Sequence, residues 1–142
     1  MREVVDQQSL SREFVVPGNL ASLPEARDSI LQFVHEHCGD EQQELDILLA
    51  LQEALANAIL HGCLNDERKL VRCTVQITPS KFSFVIRDPG PGFPTTISVD
   101  AAGHVANLTE HGRGIQMMRG LMDDVSYAHN GSELQMTKLR VL

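Results

Sequence analysis

Tryptophan is missing from this chain, and five phenylalanines and one tyrosine are its only aromatic residues. A core with so few rings must be assembled mainly from Leu, Ile, Val, Met and Ala. No apolar run approaches the roughly 20 residues that a membrane helix needs. The opening MREVVDQQSL holds no apolar stretch of the secretory kind, so a cytoplasmic protein with no membrane role is expected. Cysteine is scarce too. Cys38, Cys63 and Cys73 form no CxxC pair, and with no export signal they are expected to be reduced, partly buried thiols. Basic residues are outnumbered, 12 against 19 acidic, for a net charge of −7. That balance disfavours nucleic acid, whose phosphates demand a basic surface, and leaves room for a protein partner with a basic face. The 142 residues suit a single domain, with ordinary apolar and charged fractions of 42% and 22%.

Periodicity assigns the elements. Ser9 to Val16 alternates as a first strand, with Leu10, Phe14 and Val16 on its buried side, and Pro17-Gly18-Asn19 ends it. Ser22-Leu23-Pro24-Glu25 opens a helix, with Ser22 as N-cap, an apolar stripe of Ile30, Leu31, Phe33 and Val34, and Gly39 as its close. A longer helix follows from about Glu41 to His61, its apolar arc assigned to Leu45, Leu48, Leu49, Leu55, Ala56, Ile59 and Leu60, and Gly62 ends it. Val71 to Ile77 and Lys81 to Asp88 read as a hairpin around Pro79-Ser80. From Pro89 to His111 no period survives, and a loop of that length in a compact domain is usually functional. Gly112 to Met122 resumes helical spacing, and strands near Asp124 to Ala128 and Glu133 to Leu139 flank a turn at Asn130-Gly131. The order β-α-α-β-β-loop-α-β-β implies a two-layer α+β sandwich, a mixed and mostly antiparallel sheet with helices on one face.

Three segments could carry chemistry. Glu53, Asn57 and His61 are spaced by four, so on a helix they stack along one face about 6 Å apart. Beside them lie Ala50, Ala54 and Ala58, small enough to leave space for something other than protein. Taken singly, these polar residues read equally well as a solvated face, and His61 as a favourable charge at a helix C-terminus. Asp88 shares the face of Phe82, Phe84 and Ile86, so its carboxylate enters the layer between sheet and helices, where an unpaired charge is expensive. A ligand that donates hydrogen bonds, such as the exocyclic amine of adenine, would relieve that cost. Gly90 and Gly92 let the backbone lie close to a flat ring, although Asp-Pro-Gly is also an ordinary turn. Gly112-Arg113-Gly114, at a helix opening, could offer backbone N–H groups to phosphate, with Arg113 adding charge. It is neither a Walker loop nor a dinucleotide fingerprint.

Taken together and in order, EALANAILHG, IRDPGPGF, HGRGIQMM and GLMDDVSY resemble the Bergerat-type (GHKL, histidine-kinase-like) ATPase domains of gyrase, mismatch-repair ATPases and histidine kinases. Within that group they are most similar to the bacterial anti-sigma-factor serine/threonine kinases of the SpoIIAB and RsbW type. The resemblance implies ATP and Mg²⁺ as cofactors and one ATPase domain over residues 1–142, with a lid at about 93–111. It implies Glu53 as general base, Asn57 as the Mg²⁺ residue, and Asp88, Gly90 and Gly92 around adenine. Gly112 and Gly114 would sit beside the phosphates. Arg113 stands where the family often has a small or hydrophobic residue, and could contact phosphate or partner. The implied partners are a sigma factor and a STAS-type anti-sigma-factor antagonist, and homodimers are common in that group. The alternative is an ATP-gated protein-binding regulator without significant kinase activity. A histidine-kinase catalytic domain fits less well, because 142 residues leave no space for a dimerisation helix pair.

Two further signals are set aside. His35-Glu36-His37-Cys38 resembles a metal cluster, but adjacent helical residues point in different directions. Met117, Met118 and Met122 suit gaps in a core better than a cofactor site.

Overall fold

The alternating segments pair into one sheet. In a computed structural model of the chain, which describes residues 9–91 and 110–141, the strands are β1 (Leu10–Gly18), β2 (Asp66–Ile77), β3 (Lys81–Arg87), β4 (Asp124–Ala128) and β5 (Glu133–Leu139). They lie in the order β1-β2-β3-β5-β4, and every pairing is antiparallel. Helices α1 (Leu23–His35), α2 (Glu41–Asn57) and α3 (Glu110–Leu121) complete the expected α+β sandwich. No helix among the described residues is long and apolar enough to cross a membrane.

Side chains on a strand alternate between faces, so the register sets what meets the helices. One row across the sheet runs Phe14–Cys73–Ile86–Leu134–Tyr127, and the next Arg12–Val75–Phe84–Met136–Val125. Their apolar members join Ile30 and Val34 of α1, Ile47 and Leu51 of α2, and Met118 of α3 in a single buried cluster. Cys63 and Cys73 are buried free thiols, and Cys38 is half-buried.

Several local expectations change. β1 runs on through Pro17 to Gly18, because an edge strand tolerates a residue without an N–H, and the register shifts between those two residues. Leu10, at the outer end of this edge strand, is 37% exposed rather than buried. The Ser22 hydroxyl donates to Asn19 Oδ1 at 2.5 Å instead of capping α1, which ends at His35, short of Gly39. Asp40 caps α2, accepting the N–H groups of Gln42 and Gln43 at 2.9 and 3.3 Å.

The apolar arc of α2 is also rotated. Leu45, Leu49 and Leu60 are 48%, 40% and 36% exposed, whereas Ile47, Ala50, Leu51, Ala54 and Leu55 are buried. The leucines had drawn the arc toward the outer face. The side that meets the sheet is lined partly by alanines, which let the helix approach closely. With this phase, Leu51→Ala should cost about 2–5 kcal/mol and Leu49→Ala less than about 1 kcal/mol in urea denaturation. Equal losses at the two positions would contradict the assigned orientation.

Candidate functional site

Helix α2 does not finish as an α-helix. Ala58–Gly62 form a π turn, closed by the N–H of Cys63 donating to Ala58 O at 2.9 Å; such turns are frequent at functional sites. The turn sets Gly62 against Asp88, just beyond β3. A methyl group at Gly62 would overlap the Asp88 carboxylate, and a Cβ at Gly90 would lie 2.7 Å from Gly62 O. The backbone at both glycines therefore closes around the carboxylate in a way no larger residue permits. Asp88 Oδ1 accepts the Gly90 N–H at 2.9 Å, and the Asp88 N–H donates to Ser132 O at 3.0 Å. Burial raises the pKa of Asp88, more than the Gly90 hydrogen bond lowers it.

A cleft opens beside this contact. Ala54, Asn57, Ala58 and His61 line it on the helix side, and Ile86, Leu134 and Tyr127 on the sheet side, with Asp88, Gly62 and Gly131 completing the wall. About 450 Å³ of space, open mouth included, lies between these walls. Asn57 Nδ2 is buried with no hydrogen-bond partner among the described residues. An orphaned amide costs roughly 1–3 kcal/mol, a cost that a bound ligand would remove. A half-turn of the amide would present Oδ1 instead.

Glu53 lies one turn before Asn57 and is half-buried. A Cβ at Gly114 would come within 2.5 Å of Glu53 Oε2, so the backbone of α3 runs directly past this carboxylate. Helix α3 starts at Glu110, so Gly112 and Gly114 stand inside its first two turns rather than ahead of it. The N–H of Gly112 is still among the first of the helix, which have no intrahelical acceptor. The end of the expected lid, residues 110–111, is helical; its remainder and Gly92 lie outside the described residues. The structure thus brings Glu53, Asn57, Asp88, Gly90 and Gly114 together from two helices and the turn after β3. In the His35 to Cys38 segment, His35 Nδ1 lies 2.6 Å from Glu44 Oε1, and His37 meets the Phe33 ring edge-on at 5.6 Å.

Sequence reasoning missed Gly62, Tyr127 and Gly131. Gly62 was legible only as a helix terminator. Tyr127 comes from β4 and was legible only as the end of the GLMDDVSY segment, and Gly131 only as part of a turn before β5; the backbone there has positive φ at His129 (52°) and Gly131 (94°).

The family profile of the histidine kinase-like ATPase domain matches residues 16–138. The chain belongs to this family. As an ATPase-type domain it is a nucleotide-binding protein. It is 28% identical over 118 residues to the anti-sigma F factor of Clostridium perfringens, covering 80% of this chain and 84% of that protein. It is also 28% identical over 102 residues to the anti-sigma F factor of Geobacillus stearothermophilus, covering 70% of each. Two solved structures share the fold. One, of the RsbU and RsbW domains of a Mycobacterium tuberculosis protein, matches 92% of this chain with a TM-score of 0.63 at 14% identity, and the chain spans 31% of that longer one. The other, the SiaB–SiaC complex of Pseudomonas aeruginosa, matches 98% of this chain and 94% of its counterpart with a TM-score of 0.58 at 13% identity.

The raised pKa of Asp88 gives this ATPase domain a testable stability profile. A carboxylate whose folded pKa exceeds its unfolded value contributes stability below the unfolded pKa, and that stability is lost as pH rises through the folded one. Without nucleotide, Asp88→Asn should therefore melt above wild type at pH 7, the gap closing below about pH 4. A variant Tm at or below wild type at pH 7 would contradict the burial argument.

Proposed function

We propose that this domain is an ATP- and Mg²⁺-dependent protein serine/threonine kinase and anti-sigma factor. It sequesters a sigma factor in the cytoplasm and phosphorylates a STAS-type antagonist, so that the two partners exchange. The observation that carries the proposal is the approach of Gly114 to Glu53, one turn from Asn57 in the helix that lines the Asp88 cleft. The relatives named anti-sigma F factors support the regulatory half of the reading.

The residues present fit the nucleotide and its metal, since the cleft holds an orphaned amide and a glycine cradle around a buried carboxylate. Asp88 would accept a hydrogen bond from the exocyclic amine, with Gly62, Gly90 and Gly92 leaving room for the flat base. Asn57 would hold Mg²⁺, which when bound neutralises charge on the phosphates and is otherwise ligated by phosphate and water. The N–H groups at the start of α3, up to Gly112, would face the phosphates, with Arg113 adding positive charge. Glu53 accepts the proton of the attacking serine or threonine hydroxyl. The hydroxyl oxygen bonds to the γ-phosphorus, the bond to the β–γ bridging oxygen breaks, and ADP leaves. The new phosphate adds about −1.5 to −2 charge to the antagonist, which favours its release from an acidic domain of net charge −7.

Phosphoryl transfer from Mg-ATP to the cognate antagonist, followed for wild type and Glu53→Ala, tests this. Glu53→Ala should keep ATP binding and lose transfer by about 10²-fold or more. Undiminished transfer would remove Glu53 from the mechanism. ATP binding by wild type without any phosphoproduct would leave an ATP-gated binding regulator. Homodimerisation belongs to the same proposal and is read from the mass in solution by light scattering.

A further inference from the structure

The chain's one tyrosine, Tyr127, stands on β4 at the edge of the sheet. It pairs with Leu134, which pairs with Ile86, so the three are consecutive in one cross-strand row, and all three line the cleft. Two aliphatic residues are thus followed by an aromatic ring at the edge, roughly two strand spacings or about 10 Å from Ile86. Asp88 lies two residues beyond Ile86 along β3. Across the cleft stand Ala54 and Ala58, too short to clamp the ring from above.

The polar end of this side chain points to the same use. Tyr127 is half-buried, and burial holds its phenol protonated well above the usual range. The positive charge of Arg119 lowers that pKa slightly and the negative charge of Glu53 raises it. A ring with an apolar body and a polar tip suits the wall of a slot whose occupant is flat at one end and charged at the other.

We propose that Tyr127 is the side wall of the base-binding slot and a specificity-determining residue, limiting the size of the purine that fits between the Ile86–Leu134 floor and helix α2. The inference rests on reading the cleft as the ATP site. A purely structural tyrosine would affect folding without altering which bases bind.

The test is calorimetric titration of Mg-ATP, and of ATP analogues with bulky groups at C2, N6 or C8, into wild type, Tyr127→Phe and Tyr127→Ala. Tyr127→Phe keeps the ring, so it should bind ATP within about 10-fold of wild type and reject the same analogues. Tyr127→Ala should lose about 10-fold or more in ATP affinity while accepting at least one analogue that wild type excludes. Unchanged affinity ratios of analogues to ATP in Tyr127→Ala would overturn the proposal. If Tyr127→Ala does not fold, Tyr127→Leu replaces it, and the same unchanged ratios would overturn the proposal there. Failure of wild type to bind any adenine nucleotide would defeat the ATP reading itself and this inference with it, an outcome distinct from normal ATP binding with unaltered discrimination.

Discussion

Asp88 keeps a carboxylate in the layer between sheet and helices, where burial opposes its charge, and the backbone at Gly62 and Gly90 is drawn around it until neither position has space for a side chain. Much of the site follows from accommodating that contact. Helix α2 widens into a π turn at Ala58–Gly62, which carries Gly62 to the carboxylate. Beyond Arg87 the chain leaves β3, and Asp88 donates its own N–H to Ser132 O just before β5. An α-helix continued through residue 62, or any larger residue there, would displace the carboxylate from the cleft.

The helix layer is anchored away from this point. Lys138 of β5, with only 14% of its side chain exposed, donates to Asp46 Oδ2 of α2 at 3.0 Å and to Leu121 O at the end of α3 at 2.5 Å. Gln43, near the start of α2, donates to Leu139 O at 2.5 Å and accepts the N–H of Val141 at 3.1 Å. Breaking a largely buried ion pair leaves an uncompensated charge, so Lys138 ties its two acceptors on α2 and α3 to one point of β5. These contacts hold the C-terminal end of α3 against α2, while its N-terminal turns carry Gly114 to Glu53. The part of α3 that meets the site is thus positioned by polar contacts at its far end.

Two features of the cleft work against the stability of the empty fold, the raised pKa of Asp88 and the unpartnered Asn57 amide. Both ask for an occupant able to donate to a carboxylate and satisfy an amide. Binding to the folded state alone would return that stability in proportion to ligand concentration. The apolar floor of Ile86 and Leu134 has no such requirement, which leaves it free to receive a flat ring.

The strands were legible where alternation was strict, as in β3, β4 and β5, because one buried face imposes a period of two on a pleated strand. The first residues of β2, Asp66 to Leu70, lack that alternation and escaped notice. Glu53, Asn57, Asp88 and the glycines could be picked out because their segments, taken together and in order, resemble a known family, although each alone read equally well as a solvated face or an ordinary turn. The phase of α2 could not: the alanines that let it approach the sheet carry a weaker apolar signal than the leucines on its outer side. Gly62 and Tyr127 were hidden for a related reason, since each gains its role from a partner distant in the chain, Asp88 for one and the Leu134–Ile86 row for the other. By itself, then, the sequence determined the sandwich through local periodicity, and pointed to the residues of a nucleotide site through its likeness to a family. Only the tertiary structure decided which surfaces face the cleft and how tightly they close on it, because distance and burial depend on every element packed around them.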